Sequence, residues 1–144
     1  MENATMGKVI VTAKIENLSD EVLSQQGHLP AEKIRGVEVT DALVDTAAST
    51  LCLPRPLVVQ LGLRPTRPRT ARTSAGLATL QMYSAVRLTI QGRECVCDIV
   101  EIPDDCPVLI GQIPLEALDF VVDPIGQQLI GNPAHGGEQM LELY

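Results

Sequence analysis

The segment ALVDTAASTLCLP, residues 42–54, is the most informative stretch of this 144-residue sequence. Its first residues are apolar and typical of a strand, and a single carboxylate, Asp45, follows them directly. A carboxylate near a core costs free energy unless hydrogen bonds or an opposite charge compensate it. Asp45, followed by Thr46 and two alanines, is therefore a candidate functional residue. The alternative is an aspartate that only caps a turn at the end of a strand.

Composition and charge restrict the function classes. The chain is 45% hydrophobic but only 2% aromatic, which predicts an aliphatic core. Its length suits one domain, residues 1–144. The formal net charge of -7 argues against binding to nucleic acid or to an anionic membrane surface, because both would repel the protein.

The remaining bulk features predict a cytoplasmic protein without metal or cofactor. We see no basic and apolar leader at the start of the sequence and no apolar run of about 20 residues that could span a bilayer. Four cysteines are too few for a dense disulfide framework. Cys95 and Cys97 lack the spacing of structural zinc ligands, and neither His28 nor His135 has a second histidine nearby.

Short alternating segments separated by turns predict a mostly β protein. A small-residue hairpin tip is expected at residues 74–76, and one short C-terminal helix at Pro114–Leu118. Helical turns are also possible within residues 19–23 and 56–63. The predicted strands are Lys8–Ile15, Val37–Val44, Thr70–Leu80, Gln81–Ile90, Glu94–Ile102, Val108–Gly111, Phe120–Val122 and Gln128–Ile130.

Three ordered features of the sequence resemble the retropepsin-like aspartic proteases, the single-lobe family that includes the retroviral proteases. The first is LVDTAAS at residues 43–49, similar to the family's apolar-apolar-Asp-Thr-Gly-Ala-Ser/Asp. The second is the hairpin around Thr73–Leu77, in the place of the family's flap. The third is VLIGQ at residues 108–112 followed by PLE at residues 114–116. The core motifs span residues 37–123.

This resemblance implies an all-β, closed β-barrel lobe that acts as a two-fold homodimer. It implies an aspartic endopeptidase in which two aspartates share one proton and activate water against a peptide bond of a peptide or protein substrate. Because the sequence has one Asp-Thr and no Asp-Ser, each chain supplies half of the dyad. Edge strands near the termini, Lys8–Ile15 and Met140–Tyr144, are candidates for an intersubunit sheet.

The same resemblance assigns roles to individual residues. Asp45 would be catalytic, Thr46 would grip the partner subunit, and Ala47 would support the active site. The expected substrate-binding residues are Ala48, Ser49, Thr73, Ser74, Ala75, Gly76, Leu77 and Gly111.

Ala47 is the main departure from the family pattern, which has glycine there. The added Cβ favours a second interpretation, a catalytically weak or inactive peptide-binding or dimerisation module on the same fold. The arginines 64, 67, 69 and 72 form the only basic cluster. They either recognise acidic residues of a substrate or form a solvated strand face.

Overall fold

A computed structural model describes residues 8–143, which form a mostly β protein with three α-helices. A 3₁₀ turn at Ala31–Lys33 precedes β2, and another at Pro133–His135 follows β9. The elements in chain order are β1 (Ile10–Asn17), α1 (Leu18–Gln25), β2 (Gly36–Val44), β3 (Leu51–Pro54), α2 (Arg55–Gln60), β4 (Pro65–Thr73), β5 (Gly76–Ile90), β6 (Arg93–Ile102), β7 (Leu109–Ile110), α3 (Gln112–Leu118), β8 (Phe120–Asp123) and β9 (Gln128–Gly131).

Seven strands form one sheet in the order β1-β2-β7-β3-β6-β5-β4, and β8 pairs with β9 in a separate ribbon. The strand β1 also pairs with β5, from Lys14 opposite Thr89 to Asn17 opposite Val86. The strand β4 pairs only with β5 and leaves a free edge, so the sheet as a whole is not the closed barrel that we predicted. The β class is confirmed, the short C-terminal helix is present as α3, and the helical turns expected within residues 19–23 and 56–63 are parts of α1 and α2.

The core is aliphatic, as the composition predicts. Phe120 is the only phenylalanine of the chain, and the guanidinium of Arg93 lies 4.5 Å from its ring centroid. This contact is a cation–π interaction between Arg93 and the buried Phe120 ring. The largest fully buried side chains are those of Val9, Ile15, Leu51, Leu53, Leu61, Val86, Leu88, Ile90, Ile99, Ile110, Pro114 and Leu118.

A buried polar cluster fixes the start of β2, the strand that leads to Asp45. The side-chain oxygen of Asn17 accepts the N–H of Asp20 at 3.0 Å and caps α1. Asp20 is buried, and its carboxylate accepts hydrogen bonds from the backbone N–H and the guanidinium of Arg35. Bonding to Arg35 holds the pKa of Asp20 below its usual range.

The segment after β9 is tied to the lobe by a histidine between two carboxylates. Nδ1 of His135 lies 2.6 Å from Asp119, and its Nε2 lies 2.5 Å from Glu142. Hydrogen bonds to Glu142 and Asp119 raise the pKa of His135 above its usual range. The amide of Met140 also donates to Asp119.

The intersubunit sheet that we expected near the termini stays a prediction, because Ile10, Val11 and Ala13 of β1 pair only with β2 among the described residues and leave one side of the strand open. Residues Lys14–Glu16 pair with β2 on one side and with β5 on the other. Residues 140–143 are not a strand, and Tyr144 lies outside the described residues. Across residues 8–143, helices long and apolar enough to cross a membrane are absent.

Candidate functional site

Asp45 is the first residue after β2, and strand pairing fixes its backbone. Leu43 and Val44 pair in parallel with Leu109 and Ile110 of β7. The pairing continues one residue further, because the amide of Asp45 donates to the carbonyl oxygen of Ile110 at 2.9 Å. Asp45 is thus held at the end of β2, at the edge of the paired region.

A tight turn follows and holds the carboxylate of Asp45. The amide of Ala47 donates to Oδ1 of Asp45 at 3.0 Å, and the amide of Ala48 donates to the Asp45 carbonyl at 3.0 Å. Asp45 is half-buried, whereas Thr46 and Ala47 are exposed. The carboxylate therefore has a backbone donor and still faces solvent, as a group that acts on a bound molecule must.

The loop of residues 45–50, called the Asp45 loop below, is bound to the start of α3 through Ala48 and Ser49. The carbonyl of Ala48 accepts the amide of Gln112 at 2.9 Å, and that of Ser49 accepts the amide of Ile113 at 2.9 Å. These bonds satisfy free amides in the first turn of α3. The helix predicted from VLIGQ and PLE therefore supports the loop that carries Asp45.

Gly111 lies where the backbones of the Asp45 loop and β7 come closest. Its amide donates to the carbonyl oxygen of Thr50 at 3.0 Å. A Cβ at position 111 would lie 2.4 Å from that oxygen and 2.7 Å from the carbonyl oxygen of Ala48. Since both neighbours are backbone atoms, only glycine fits here without displacing the loop.

Thr46 and Ala47 have ordinary backbone geometry and free side chains. Among residues 8–143 the non-glycine residues with positive φ are Gln91, Asp119 and Gln127, so Ala47 does not occupy a conformation that requires glycine. The Thr46 hydroxyl has no hydrogen-bond partner within these residues. The methyl of Ala47 therefore causes no backbone strain in the loop, and it is exposed to any molecule that contacts the loop.

Cys52 is a titratable residue close enough to Asp45 to respond to its charge. It lies on β3, directly after the Asp45 loop, and is buried. Burial and, second, the negative charge of Asp45 raise the pKa of the Cys52 thiol to about 11. The thiol is therefore protonated at neutral pH and is a poor nucleophile.

A cavity of about 500 Å³ opens beside the Asp45 loop, under the arms of the β4–β5 hairpin. Ser49 and Thr50 belong to its wall, and Ile113 from α3 lies on the same side. Its other lining residues come from β4, β5 and β6: Arg69, Thr70, Ala71, Arg72, Leu80, Met82, Val96, Cys97, Asp98 and Val100. The cavity thus connects the loop to the hairpin that resembles the family's flap.

The hairpin tip forms as predicted but lies outside this cavity. Thr73 is paired with Gly76, and its hydroxyl donates to the Gly76 carbonyl at 2.8 Å. Gly76 has a φ of 111°, which favours glycine. Ser74 and Ala75 are exposed, and Leu77 is 71% exposed. In the single chain the arms of the hairpin line the cavity, while the five residues Thr73–Leu77 project beyond it.

Thr50 and Asp98 were missed at the sequence level. The Thr50 hydroxyl donates to the carbonyl oxygen of Asp98 at 2.9 Å, which joins the Asp45 loop to β6. The parallel pairing of Leu51 with Ile99 brings the two together. No local pattern indicates a contact between residues so far apart in sequence.

The described residues also include no group of three His, Cys, Asp or Glu side chains that could hold a metal ion. Cys95 and Cys97 are free thiols, as are Cys52 and Cys106. The Asp45 loop thus offers a carboxylate with one backbone donor, and of the predicted site residues only Ser49 lines the partly apolar cavity.

Comparison with known protein families identifies the chain. The model of the family described as aspartyl protease matches residues 32–114, more than half of the sequence. The chain belongs to the aspartyl protease family. The resemblance to retropepsin-like aspartic proteases is therefore confirmed. No curated protein matches the sequence.

The region that matches the aspartyl protease family contains every predicted site residue. It includes the Asp45 loop, the hairpin tip at residues 73–77, and Gly111. The chain therefore has a protease-like fold and belongs to a family of hydrolases of the protease type.

Proposed function

We propose that the protein is an aspartic endopeptidase whose active site forms between two copies of the chain, with one Asp45 from each. The observation that carries the proposal is the state of Asp45: the residue is half-buried, and its carboxylate accepts a hydrogen bond from the Ala47 amide. Its loop lines a cavity of about 500 Å³ through Ser49 and Thr50, although Asp45 itself does not. One domain, residues 1–144, would supply each half-site, without a cofactor.

The chemistry follows from two facing carboxylates. Because two carboxyl groups in close contact cannot both be ionised, the pair holds one proton. The ionised member takes a proton from water as the water oxygen attacks the peptide carbonyl carbon. The protonated member donates its proton to the carbonyl oxygen. Collapse of the tetrahedral intermediate then breaks the C–N bond: the leaving amine takes the proton that the first carboxylate received from water, and the second carboxylate regains a proton from a hydroxyl of the intermediate.

The surrounding residues have supporting roles in this scheme. The free hydroxyl of Thr46 would bond to the backbone of the partner subunit. An extended peptide would bind as an added strand between the Asp45 loop and the hairpin. Ala48, Ser49 and Gly111 would line its path, and the tip residues Thr73–Leu77 would cover it and exclude water.

A peptide-binding or dimerisation module on the same fold is the second candidate function. The observation that favours it is the exposed methyl of Ala47, since the family usually has glycine there. A methyl group at this point would hold a peptide backbone, or the partner's loop, further from the carboxylates. Binding would then survive while hydrolysis slowed.

The experiment that separates these functions is incubation with a diverse peptide library at several pH values. Native protein and the Asp45→Asn variant are compared, each with and without a pepstatin-like inhibitor. Cleavage by native protein alone, sensitive to the inhibitor and strongest in mildly acidic solution, is the expected result. Cleavage that persists in Asp45→Asn, or a rate that keeps rising above neutral pH, would refute the dyad.

A further inference from the structure

The arginines of the chain divide into two groups of four. Each of Arg35, Arg55, Arg87 and Arg93 has a partner: the first three bond carboxylates, and the last bonds backbone carbonyls. The other four are Arg64, Arg67, Arg69 and Arg72. Within the described part of the chain, these four have no carboxylate within ion-pair distance.

The second group is concentrated on one element. Arg67, Arg69 and Arg72 belong to β4, the free edge of the sheet, and Arg64 directly precedes it. This strand, PTRPRTART, contains no aspartate or glutamate. Since the whole chain carries a net charge of -7, β4 is a local positive strip on an acidic protein.

Two of these arginines belong to the cavity beside the Asp45 loop. Arg69 and Arg72 line it, whereas Arg64 and Arg67 do not. Arg69 is paired with Leu80 across the β4–β5 ladder, and directly paired residues share a face of the sheet. Leu80 also lines the cavity, so the side chain of Arg69 leaves β4 on the face that a substrate would cover, whereas Arg72, paired with Leu77, has the opposite orientation in the strand.

The cavity is polarised from one wall to the other. Its apolar part is formed by Leu80, Met82 and Val100 together with Val96 and Ile113. Arg69 and Arg72 lie on the β4 side, and Asp98 contributes a carboxylate from β6. A ligand that carries an apolar side chain and a negative charge would match this wall when its charge points toward β4 and away from Asp98.

We infer that Arg69, assisted by the charge of Arg72, selects peptides that carry an aspartate or glutamate two positions from the apolar side chain that fills this cavity, because alternate side chains of an extended peptide share a face. The inference rests on the proposed function, because it identifies the substrate class of the same site. Selection acts through charge-assisted hydrogen bonds from the Arg69 guanidinium to the peptide carboxylate, and Arg72 adds positive charge to the same side of the cavity. Because both arginines are exposed, salt screens the preference.

The test uses matched internally quenched peptides that differ only at the position two residues from a central leucine, where they carry Asp or Glu, Asn or Gln, or Lys. The quantity compared is the ratio of kcat/KM for the acidic peptide to that for its amide counterpart. We expect a ratio of about fivefold for native protein at low salt, as for an exposed ion pair. It should fall close to one in R69Q and below one in R69E, which should prefer the Lys peptide.

R67Q is the matched control, since it removes one positive charge from the same strand outside the cavity. It should retain the native ratio. A native ratio of one, or an equal loss of preference in R67Q and R69Q, would overturn the inference.

A binding measurement separates this inference from the proposed function. Fluorescence anisotropy records the affinity of the Asp45→Asn protein for the same labelled peptides, without cleavage. Suppose that native protein cleaves no peptide, but that the acidic peptide binds about fivefold more tightly than its amide counterpart and loses this advantage in R69Q. The endopeptidase proposal then fails and the selection stands. Cleavage without charge preference rejects the selection alone. Neither cleavage nor binding rejects both.

Discussion

The amide of Asp45 is bonded to the carbonyl oxygen of Ile110 at 2.9 Å, and the next residue after Ile110 is Gly111. One short strand, β7, therefore fixes both sides of the Asp45 loop, which returns to it through the bond from the Gly111 amide to Thr50. The carboxylate is held by strand pairing as well as by its own turn. Changes on β7 should consequently reach the site without touching Asp45.

Replacing Gly111 by alanine tests this dependence. The new Cβ would meet backbone atoms of Thr50 and Ala48, which cannot rotate away, so the loop must shift. We expect a loss of about 1–3 kcal/mol in the free energy of unfolding, measured in urea, together with loss of peptide cleavage. Gln112→Ala changes the adjacent exposed position and should be nearly neutral. Native stability in Gly111→Ala would contradict the close approach.

Replacing Asp45 by asparagine tests the role of the carboxylate. The amide side chain keeps an oxygen for the Ala47 amide but cannot hold or transfer the dyad proton. We expect cleavage to fall below detection while the sedimentation coefficient and the thermal midpoint remain those of native protein. A large fall in stability with unchanged function would instead assign Asp45 to turn capping. A monomeric native protein would exclude the two-chain site.

Replacing Ala47 by glycine tests why this chain departs from the family pattern. Position 47 has no positive φ, so glycine adds only freedom to the unfolded chain and should lower stability by about 0.5–1 kcal/mol. Removal of the exposed methyl should nevertheless increase kcat/KM if the methyl obstructs the peptide. Both quantities are measured on the same preparation. A parallel decrease of stability and activity would show that the methyl is harmless.

The tether between His135, Asp119 and Glu142 should make stability depend on pH. Protonated His135 donates to both carboxylates, whereas neutral imidazole has one N–H and can donate to only one. Because the pKa of His135 is raised above its ordinary value of 6.5, its contribution is full below about pH 6.5 and is lost as the pH rises through the folded-state pKa. The pKa of Asp119 is lowered, chiefly by His135, so its contribution is present above about pH 3.8 and is lost as the pH falls through its own folded-state value.

Thermal midpoints of native protein and His135→Gln, measured from pH 4 to 9, check this expectation. The difference between them should be largest in mildly acidic solution and shrink toward alkaline pH. His28→Gln is the control, because His28 is exposed. A difference that does not vary with pH would mean that His135 acts through packing alone.

Local patterns in the sequence were sufficient for the Asp45 loop, the hairpin tip and the presence of α3, which begins at Gln112, two residues before the predicted start. Each has a short-range cause: an aspartate after an apolar strand, a positive-φ glycine at Gly76, and Gly111 before a proline-containing helix. The roles assigned to Asp45, Thr46 and the other site residues remain predictions. The sequence also indicated the aliphatic core, since almost no aromatic residues were available to fill it.

The elements that were missed depend on long-range contacts. Leu51–Pro54 is too short and too uniformly apolar to show a period, and it becomes a strand because β6 and β7 pair with it. Residues 65–69 contain two prolines, yet β4 begins at Pro65, because prolines are tolerated on an edge strand whose outer side needs no partner. Because β4 pairs only with β5, its outer edge stays free and the sheet does not close into a barrel.

The position of β1 between β2 and β5 has a consequence for synthesis of the protein on the ribosome. The partner of Glu16 on the β5 side is Arg87, so that side of β1 stays open while the intervening residues are translated. During this interval the nascent chain exposes unpaired backbone groups, which can recruit a second chain. Newly made protein should therefore be most prone to aggregate before β5 has left the exit tunnel.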